Sequence, residues 1–368
     1  MKILFVTRKY PPSVGGMENV ARDLYGALQP LANVRLVAYG GKNKYLPVAY
    51  PWLLLRALVF AWRQHPNVVY VQDGVMAPLG LVLRWVLRRP VVITIHGKEV
   101  TCSNPLYRRT VLPALRRLDR AVVISPHTQT ITNTVAPRLP TTQIAWGVDD
   151  NFYMSVSRRE LRSKLAVRLG ISAERLHDDP PILLLAGRLV ERKGTEWFID
   201  KVVPMLVQRL PNLLCVITGK GPRAMQVAAS VQRQKLERNI FLLGYVADKD
   251  RNMLYNAADL FVMPNIVIPS DTEGFGIVAL EAASCGTPVI AANLEGLTAA
   301  VVPGKTGYLL PSGDADAFAE RIVAELQSPT LARQKVRGHT LAHYTWERTA
   351  EEYIKVFEQT ITQARMPK

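Results

Sequence analysis

The 368-residue chain is 48% hydrophobic and 21% charged, which excludes a disordered protein and suits two folded domains. Its net charge of +16 is lopsided: residues 1–165 hold 23 Lys and Arg against 8 Asp and Glu, residues 166–368 hold 23 against 22. A basic half beside a neutral half predicts an anionic partner for the first, be it membrane phospholipid, nucleic acid or an acidic polymer.

The N-terminal MKILFVTRKYPP has too short an apolar run for a signal peptide, and Lys2–Val6 reads as a first buried strand. It leads into Pro11-Pro12-Ser13-Val14-Gly15-Gly16-Met17-Glu18, which opens a helix from about Glu18 to Leu28. Paired glycines at a helix start let a phosphate come close. They do not form G-x-G-x-x-G, and no acid follows the next strand in dinucleotide fashion, so bound NAD is not expected. Further strands are predicted at Val34–Tyr39, Val68–Gln72, Val91–Ile95, Ala121–Ile124 and Thr142–Ala145. The apolar run Trp52 to Trp62 is interrupted by Arg56 and falls short of the ~20 residues that span a bilayer. With Leu79–Arg89, it suits either a core helix or docking on an anionic membrane face. His96-Gly97 and Ser125-Pro126 follow the strands that start at Val91 and Ala121. The histidine can donate to a ligand or serve the core, and Ser125 can cap a helix or meet a ligand.

A polar stretch, Asp149–Pro181, with a helical core SRRELRSKLAVRLGI, separates the halves. Strands resume at Ile182–Ala186, Leu213–Thr218, Ile240–Leu243, Leu260–Met263, Val289–Ala291 and Tyr308–Leu310. Apolar runs alternating with helices predict an α/β protein of two doubly wound, Rossmann-like domains facing across a cleft. The expected division is 1–165, 166–345, and a closing helical segment 346–368.

Ligands of open parallel sheets bind beyond the carboxyl ends of the strands. After Ile182–Ala186, Gly187-Arg188-Leu189-Val190-Glu191-Arg192-Lys193-Gly194 offers a turn and two cations, Arg188 and Lys193, fit for a diphosphate. Gly219-Lys220-Gly221-Pro222 is a tight turn, and Gly244-Tyr245-Val246 could present backbone to a base. After Leu260–Met263 and the polar loop Asn265 to Thr272 comes Glu273-Gly274-Phe275-Gly276, opening an apolar helix from Ile277 to Ser284. The helix start would hold an anion beside Glu273, with Glu281 further along, as a clamp on a sugar nucleotide. Solvated positions in a turn and on a helix face are the bland alternative. The D-x-D matches at Asp248–Asp250 and Asp314–Asp316 read as solvated turns rather than metal sites.

Taken together, these motifs resemble the retaining glycosyltransferases of family four. Gly15-Gly16, His96-Gly97, Gly187-Arg188 with Lys193-Gly194, Gly219 to Pro222, Gly244 to Val246 and Glu273 to Gly276 with Glu281 fall in that family's order. So do Ala258-Asp259, Gly286-Thr287-Pro288-Val289 and Gly304-Lys305-Thr306-Gly307. The resemblance spans essentially the whole chain and is dense from Gly187 to Gly307.

It implies a GT-B fold, a nucleotide-sugar donor held mainly by the second domain and an acceptor held mainly by the first. Arg188 and Lys193 would hold the diphosphate, and Glu281 the ribose. Glu273, with Gly274, Phe275 and Gly276, would hold the sugar and its phosphate. Gly15 and Gly16 would approach the diphosphate, His96 would contact the sugar, and Gly219, Gly244 and Val246 would complete the donor site. Ser125 and Trp146 are acceptor-side candidates. No metal or other cofactor is expected, because cations and a helix end replace it. The closing helix would return to the first domain. Where the family usually has Asn-Gly-Val-Asp, this chain has Trp146-Gly147-Val148-Asp149, and Trp lacks a carbonyl acceptor.

The resemblance thus points to retaining transfer of a hexose from a UDP- or GDP-sugar to a hydroxyl, lipid-linked or on a cell-envelope glycan. Three widely spaced cysteines, Cys102, Cys215 and Cys285, fit neither a disulfide framework nor zinc, which indicates a reducing, cytoplasmic setting. Peripheral attachment to the inner face of the membrane is compatible with it. A sugar-nucleotide epimerase or phosphorylase of the same fold is the alternative. A nucleic-acid binder has no recognition motif to support it.

Overall fold

A computed structural model describes residues 1–13, 15–41, 43–102, 104–170, 179–269 and 271–366. Val14, Ile171 at the end of the expected linker helix, and Ser270 in the polar loop lie outside the described residues.

The chain forms two compact units, Met1–Gly147 together with the segment from Tyr344 onward, and Val148–His343. The first holds β1 (Lys2–Thr7), β2 (Asn33–Ala38), β3 (Val68–Val71), β4 (Val91–Ile95), β5 (Arg120–Val123) and β6 (Thr141–Gln143) in one parallel sheet of order β2-β1-β3-β4-β5-β6. The second holds β7 (Ile182–Ala186), β8 (Leu214–Thr218), β9 (Ile240–Gly244), β10 (Leu260–Met263), β11 (Val289–Ala292) and β12 (Gly307–Leu310), in the order β12-β11-β10-β7-β8-β9. Central strands such as β3, β4, β8 and β10 are buried at every residue, because helices cover both faces of each sheet.

Helices α1 (Gly16–Leu28), α2 (Leu46–Gln64), α3 (Ala77–Leu87) and α4 (Pro126–Val135) lie in the first unit. Helices α5 (Arg158–Leu169), α6 (Asp248–Ala257), α7 (Ile277–Ser284) and α8 (Ala315–Gln327) lie in the second. The second unit starts earlier than the expected residue 166. Ser157 caps α5, and Arg162 of α5 reaches Asp259 at 2.6 Å, so this helix belongs to the sheet that follows it. Helix α9 (Trp346–Arg365) rejoins the first unit. Its Tyr353 and Phe357 rings sit 5.4 and 5.5 Å from Tyr70 of β3, and Tyr353 Oη is 2.9 Å from Thr94 Oγ1. Burying each ring stabilises by roughly 1.5–3 kcal/mol. Among the described residues no helix is long and apolar enough to cross a membrane.

Candidate active site

In a doubly wound sheet the crevice forms where the strand order reverses. In the second unit the chain runs outward from β7 to β9, then returns to start again with β10 beside β7. A crevice opens at the carboxyl ends of these two strands. Gly187, Arg188 and Lys193 line it from the β7 side, Pro264 and Asn265 from the β10 side, with Thr218 of β8 beside them.

Glycine makes room there. Gly219 has φ +141, and a Cβ on it would stand 1.8 Å from the Gly187 carbonyl oxygen. A Cβ on Gly221 would meet Leu189 O at 2.1 Å. The turns after β7 and β8 are therefore packed backbone on backbone. Gly244, the last residue of β9, accepts from Gly219 N at 2.7 Å and from Thr218 Oγ1 at 2.9 Å, which ties the third turn to the second. Val246 is buried, so its side chain holds this turn and only its backbone can serve a ligand.

Glu273 and Glu281 are each 8% exposed, which rules out solvated positions for both. The Oε2 atom of Glu273 accepts from Lys193 Nζ at 2.5 Å, Arg192 Nη1 at 2.7 Å and Asn265 Nδ2 at 3.1 Å. Its backbone N–H donates to the Glu295 carboxylate. Burial raises the Glu273 carboxyl, but Lys193 and Arg192 outweigh it and hold the group below the usual carboxylate range. The expected pair of Arg188 and Lys193 lines one crevice but divides its tasks. Lys193 is committed to Glu273, whereas the Arg188 side chain is exposed and, among the described residues, has no hydrogen-bond or ion-pair partner. Arg188 is thus the cation with its charge available.

Phe275 is 1% exposed, and its ring anchors the loop in the core rather than facing a ligand. Gly276 takes φ +87 to cap α7, and a Cβ there would meet Leu297 Cδ2 at 2.6 Å. Gly274 O lies 2.0 Å from where a Cβ of Gly296 would be, so this loop too is fixed by close backbone approach. Glu281 of α7 accepts from Tyr255 Oη at 2.7 Å and pairs with Arg251 Nε at 3.6 Å, both from α6.

The first unit is filled differently. His96 is buried, its Nε2 is 2.7 Å from Gln72 O, and its ring lies 5.5 Å from that of Trp146. Trp146 is itself buried and packs as part of the core. Ser125 is fully buried and caps α4, accepting from Thr128 N at 3.1 Å, so the capping alternative holds in place of an exposed acceptor contact. At Gly15 the carboxylate of Glu18 folds back to within 2.4 Å of a would-be Cβ and pairs with Lys9 at 3.0 Å. Gly16 has open space in that direction. The D-x-D matches are helix starts, not turns: Asp248 and Asp250 lie in the first turn of α6, and Asp314 caps α8.

Sequence reading missed Arg192, Asn265, Tyr255 and Arg251. Asn265 comes directly after β10 and Pro264, where the strand-end rule points, and Arg192 adjoins Lys193. For Tyr255 and Arg251 there was no signal, because their partner Glu281 lies on another helix.

A model of the family described as glycosyl transferases group 1 matches residues 180–328. The GDP-mannose-dependent monoacylated alpha-(1-6)-phosphatidylinositol monomannoside mannosyltransferase of Corynebacterium glutamicum is 26% identical over 97% of this chain and 98% of its own length. The GDP-mannose-dependent alpha-(1-6)-phosphatidylinositol monomannoside mannosyltransferase of Mycolicibacterium smegmatis is 29% identical over 94% of each. Among solved structures, sucrose-phosphate synthase from Thermosynechococcus elongatus superposes with a TM-score of 0.78 at 21% identity, covering 99% of this chain and 100% of that one. HepE of Anabaena in complex with UDP-glucose gives 0.75 at 22%, covering 98% and 100%. At that identity the likeness carries the fold, which is GT-B.

Proposed function

We propose that this chain, whose residues 180–328 match the group 1 glycosyl transferase family, is a retaining hexosyltransferase that needs no bound metal. The observation that carries the reading is the β7/β10 crevice, lined by an unpaired Arg188 side chain together with Lys193, whose own charge, like that of Arg192, is met by Glu273. A donor diphosphate would take the open guanidinium bidentately. Glu273, its charge balanced, would accept from sugar hydroxyls without repelling the phosphates. Glu281, braced by Tyr255 and Arg251, would hold the ribose. Gly274 and Gly276 would offer backbone to the sugar phosphate, and Gly219, Gly244 and Val246 to the nucleoside. On the acceptor side, His96 would contact the sugar, with Gly15 and Gly16 near the diphosphate.

In the reaction the bond from the anomeric carbon to the diphosphate oxygen breaks through an oxocarbenium-like state. The acceptor oxygen bonds on the same face, and its proton passes to the departing phosphate. Charge grows on the diphosphate as it leaves, and Arg188 would offset that growth. The names of the two mannosyltransferases favour a GDP-hexose, mannose first, and a hydroxyl on a lipid-linked or cell-envelope glycan. The protein would work in the cytoplasm, peripherally attached to an anionic membrane face through its basic first unit.

Thermal shift against UDP-, GDP- and ADP-sugars identifies the donor, since a ligand at about 100 times its Kd stabilises by about 2.7 kcal/mol. With that donor, Arg188→Ala should lower turnover by about 10²–10³-fold. Its Tm should not change, because the side chain is exposed and unpaired. Near-normal turnover in Arg188→Ala, an inverted anomer in the product, or donor consumption with no acceptor product would each overturn part of this reading.

A further inference from the structure

Helix α2 is apolar on two sides. Ala49, Leu53, Ala57 and Ala61 are buried, while Val48, Trp52, Leu55, Val59 and Trp62 keep the alternating four- and three-residue spacing of one outer face. All five are exposed, Val48 at 76% and Trp62 at 77%. At ~1.5 Å per residue the stripe runs about 21 Å along the helix. Single exposed apolar residues are ordinary, but a continuous line with two tryptophans marks an interaction surface. On α3, which packs against α2, Trp85 and Val86 are exposed as well.

Along this stretch of the chain the charge has nearly one sign. From Leu24 to Lys98 the only acid is Asp73, buried and paired with Arg8, while nine Lys and Arg fall in the same segment. Arg56 is exposed and lies over the Trp52 ring at 4.8 Å, and Arg63 is exposed next to Trp62. Arg88, just after α3, is exposed too. Helices α2 and α3 lead into β3 and β4, which pair in parallel. Trp62, Arg63, Trp85 and Arg88 therefore cluster at the end of the sheet where strands begin, away from the loops at the strands' carboxyl ends.

A second copy of this chain would set Arg56 and Arg63 against their own counterparts, with no nearby carboxylate to meet them. An anionic bilayer satisfies both features: indole rings sit at headgroup level, aliphatic side chains lie below, and guanidinium groups reach lipid phosphates. We propose that the outer face of α2, from Val48 to Trp62, docks on an anionic lipid bilayer, with the helix lying in the plane of the headgroups. This deepens the reading of a lipid-borne acceptor and rests on it for its purpose, but its measurement needs no turnover.

The test is co-sedimentation of the full chain with vesicles of phosphatidylcholine alone or mixed with phosphatidylglycerol. Binding to the anionic vesicles should be tighter by about tenfold or more and should weaken with added salt. Trp52→Gln with Trp62→Gln should lower it about tenfold, and Arg56→Gln with Arg63→Gln should abolish the preference for anionic lipid. Both double variants should keep the melting transition and its shift with nucleotide sugar. If the tryptophan pair fails to fold, Trp62→Gln alone carries the test. Equal binding to neutral vesicles, or full binding by the tryptophan variant, would overturn the proposal. So would self-association that this variant dissolves in a protein that ignores vesicles. Vesicle binding without transfer would instead sink the transferase reading and leave this surface standing.

Discussion

The two sheets reverse direction at different places, and the residues filling each reversal differ. In the second unit the reversal lies between β7 and β10, and the residues just past these strands, Gly187 and Pro264-Asn265, leave a crevice. In the first it lies between β1 and β3, and the residues just past those, Arg8 and Asp73, close on each other at 2.6 Å. Charge divides the same way. The first unit, with the segment from Tyr344 onward, carries 23 Lys and Arg against 9 Asp and Glu, so most of the +16 belongs to it. Part of its surplus, Arg56 and Arg63, stands exposed on α2, whereas in the second unit Arg162, Lys193 and Arg223 pair with carboxylates of their own unit. Sheet topology creates a place for a ligand, and the first residues past each strand decide whether it stays open.

The largest expected effect probes the glycines on either side. Gly219→Ala forces a Cβ onto the Gly187 carbonyl and should destabilise by about 3 kcal/mol or more in urea unfolding. Gly16→Ala meets nothing within 4 Å and should be neutral or stabilising by up to ~1 kcal/mol. If it nevertheless raises the donor KM, the first unit does approach the diphosphate.

Next come the ion pairs. Glu273→Gln leaves Lys193 without its counter-charge and Arg192 with Asp271 alone, and should cost about 2–3 kcal/mol, along with nucleotide-sugar stabilisation. Asp73→Asn should cost a similar amount but leave that stabilisation intact. Loss of donor binding in both would erase the contrast between an open and a filled reversal. Smaller still, Tyr255→Phe removes one hydrogen bond from Glu281, worth about 1–2 kcal/mol, and should raise the donor KM with kcat little changed.

The smallest effect differs in sign between the units. Glu273 has its carboxyl depressed, so its stabilisation is full above the unfolded value near ~4.3 and is lost as pH falls through the folded value. Glu99 in the first unit is raised by burial first and by Asp73, against a lowering from His96. Its penalty is absent below ~4.3 and sets in as pH rises toward the folded value. Urea unfolding from neutral to acid pH should show wild type losing its advantage over Glu273→Gln on acidification and gaining on Glu99→Gln. Parallel curves for both variants would refute the assignment.

Most of the fold was legible because strands buried on both faces of a parallel sheet leave short apolar runs. Val91–Ile95, Ile182–Ala186 and Leu260–Met263 were placed to the residue. At the edge, β6 lies one to two residues from its expected span, since a half-exposed strand has a weaker pattern. The start of the second unit was not legible, because the pairing of Arg158 and Arg162 with Asp259 joins residues about a hundred positions apart. The apolar length of α2 was visible, but which of its residues face outward required the packing of Leu53, Ala57 and Ala61. Arg188 and Lys193 were legible because both lie just past the carboxyl end of β7, while their division of labour needed Glu273 in place.

Helix α9 has a consequence for how the molecule is made. It supplies Tyr353 and Phe357 to the aromatic cluster around Tyr70, yet the whole second unit is translated between that cluster and its cover. At ~5–20 residues per second, a ribosome takes about 10–40 s to travel from the end of the first stretch to α9. During that interval the later unit has its full complement of residues and can mature, while the earlier one waits with Tyr70 lacking the rings of Tyr353 and Phe357. The order of completion is thus the reverse of the order of synthesis, and a chaperone that shields aromatic surface would find its substrate in the nascent first unit.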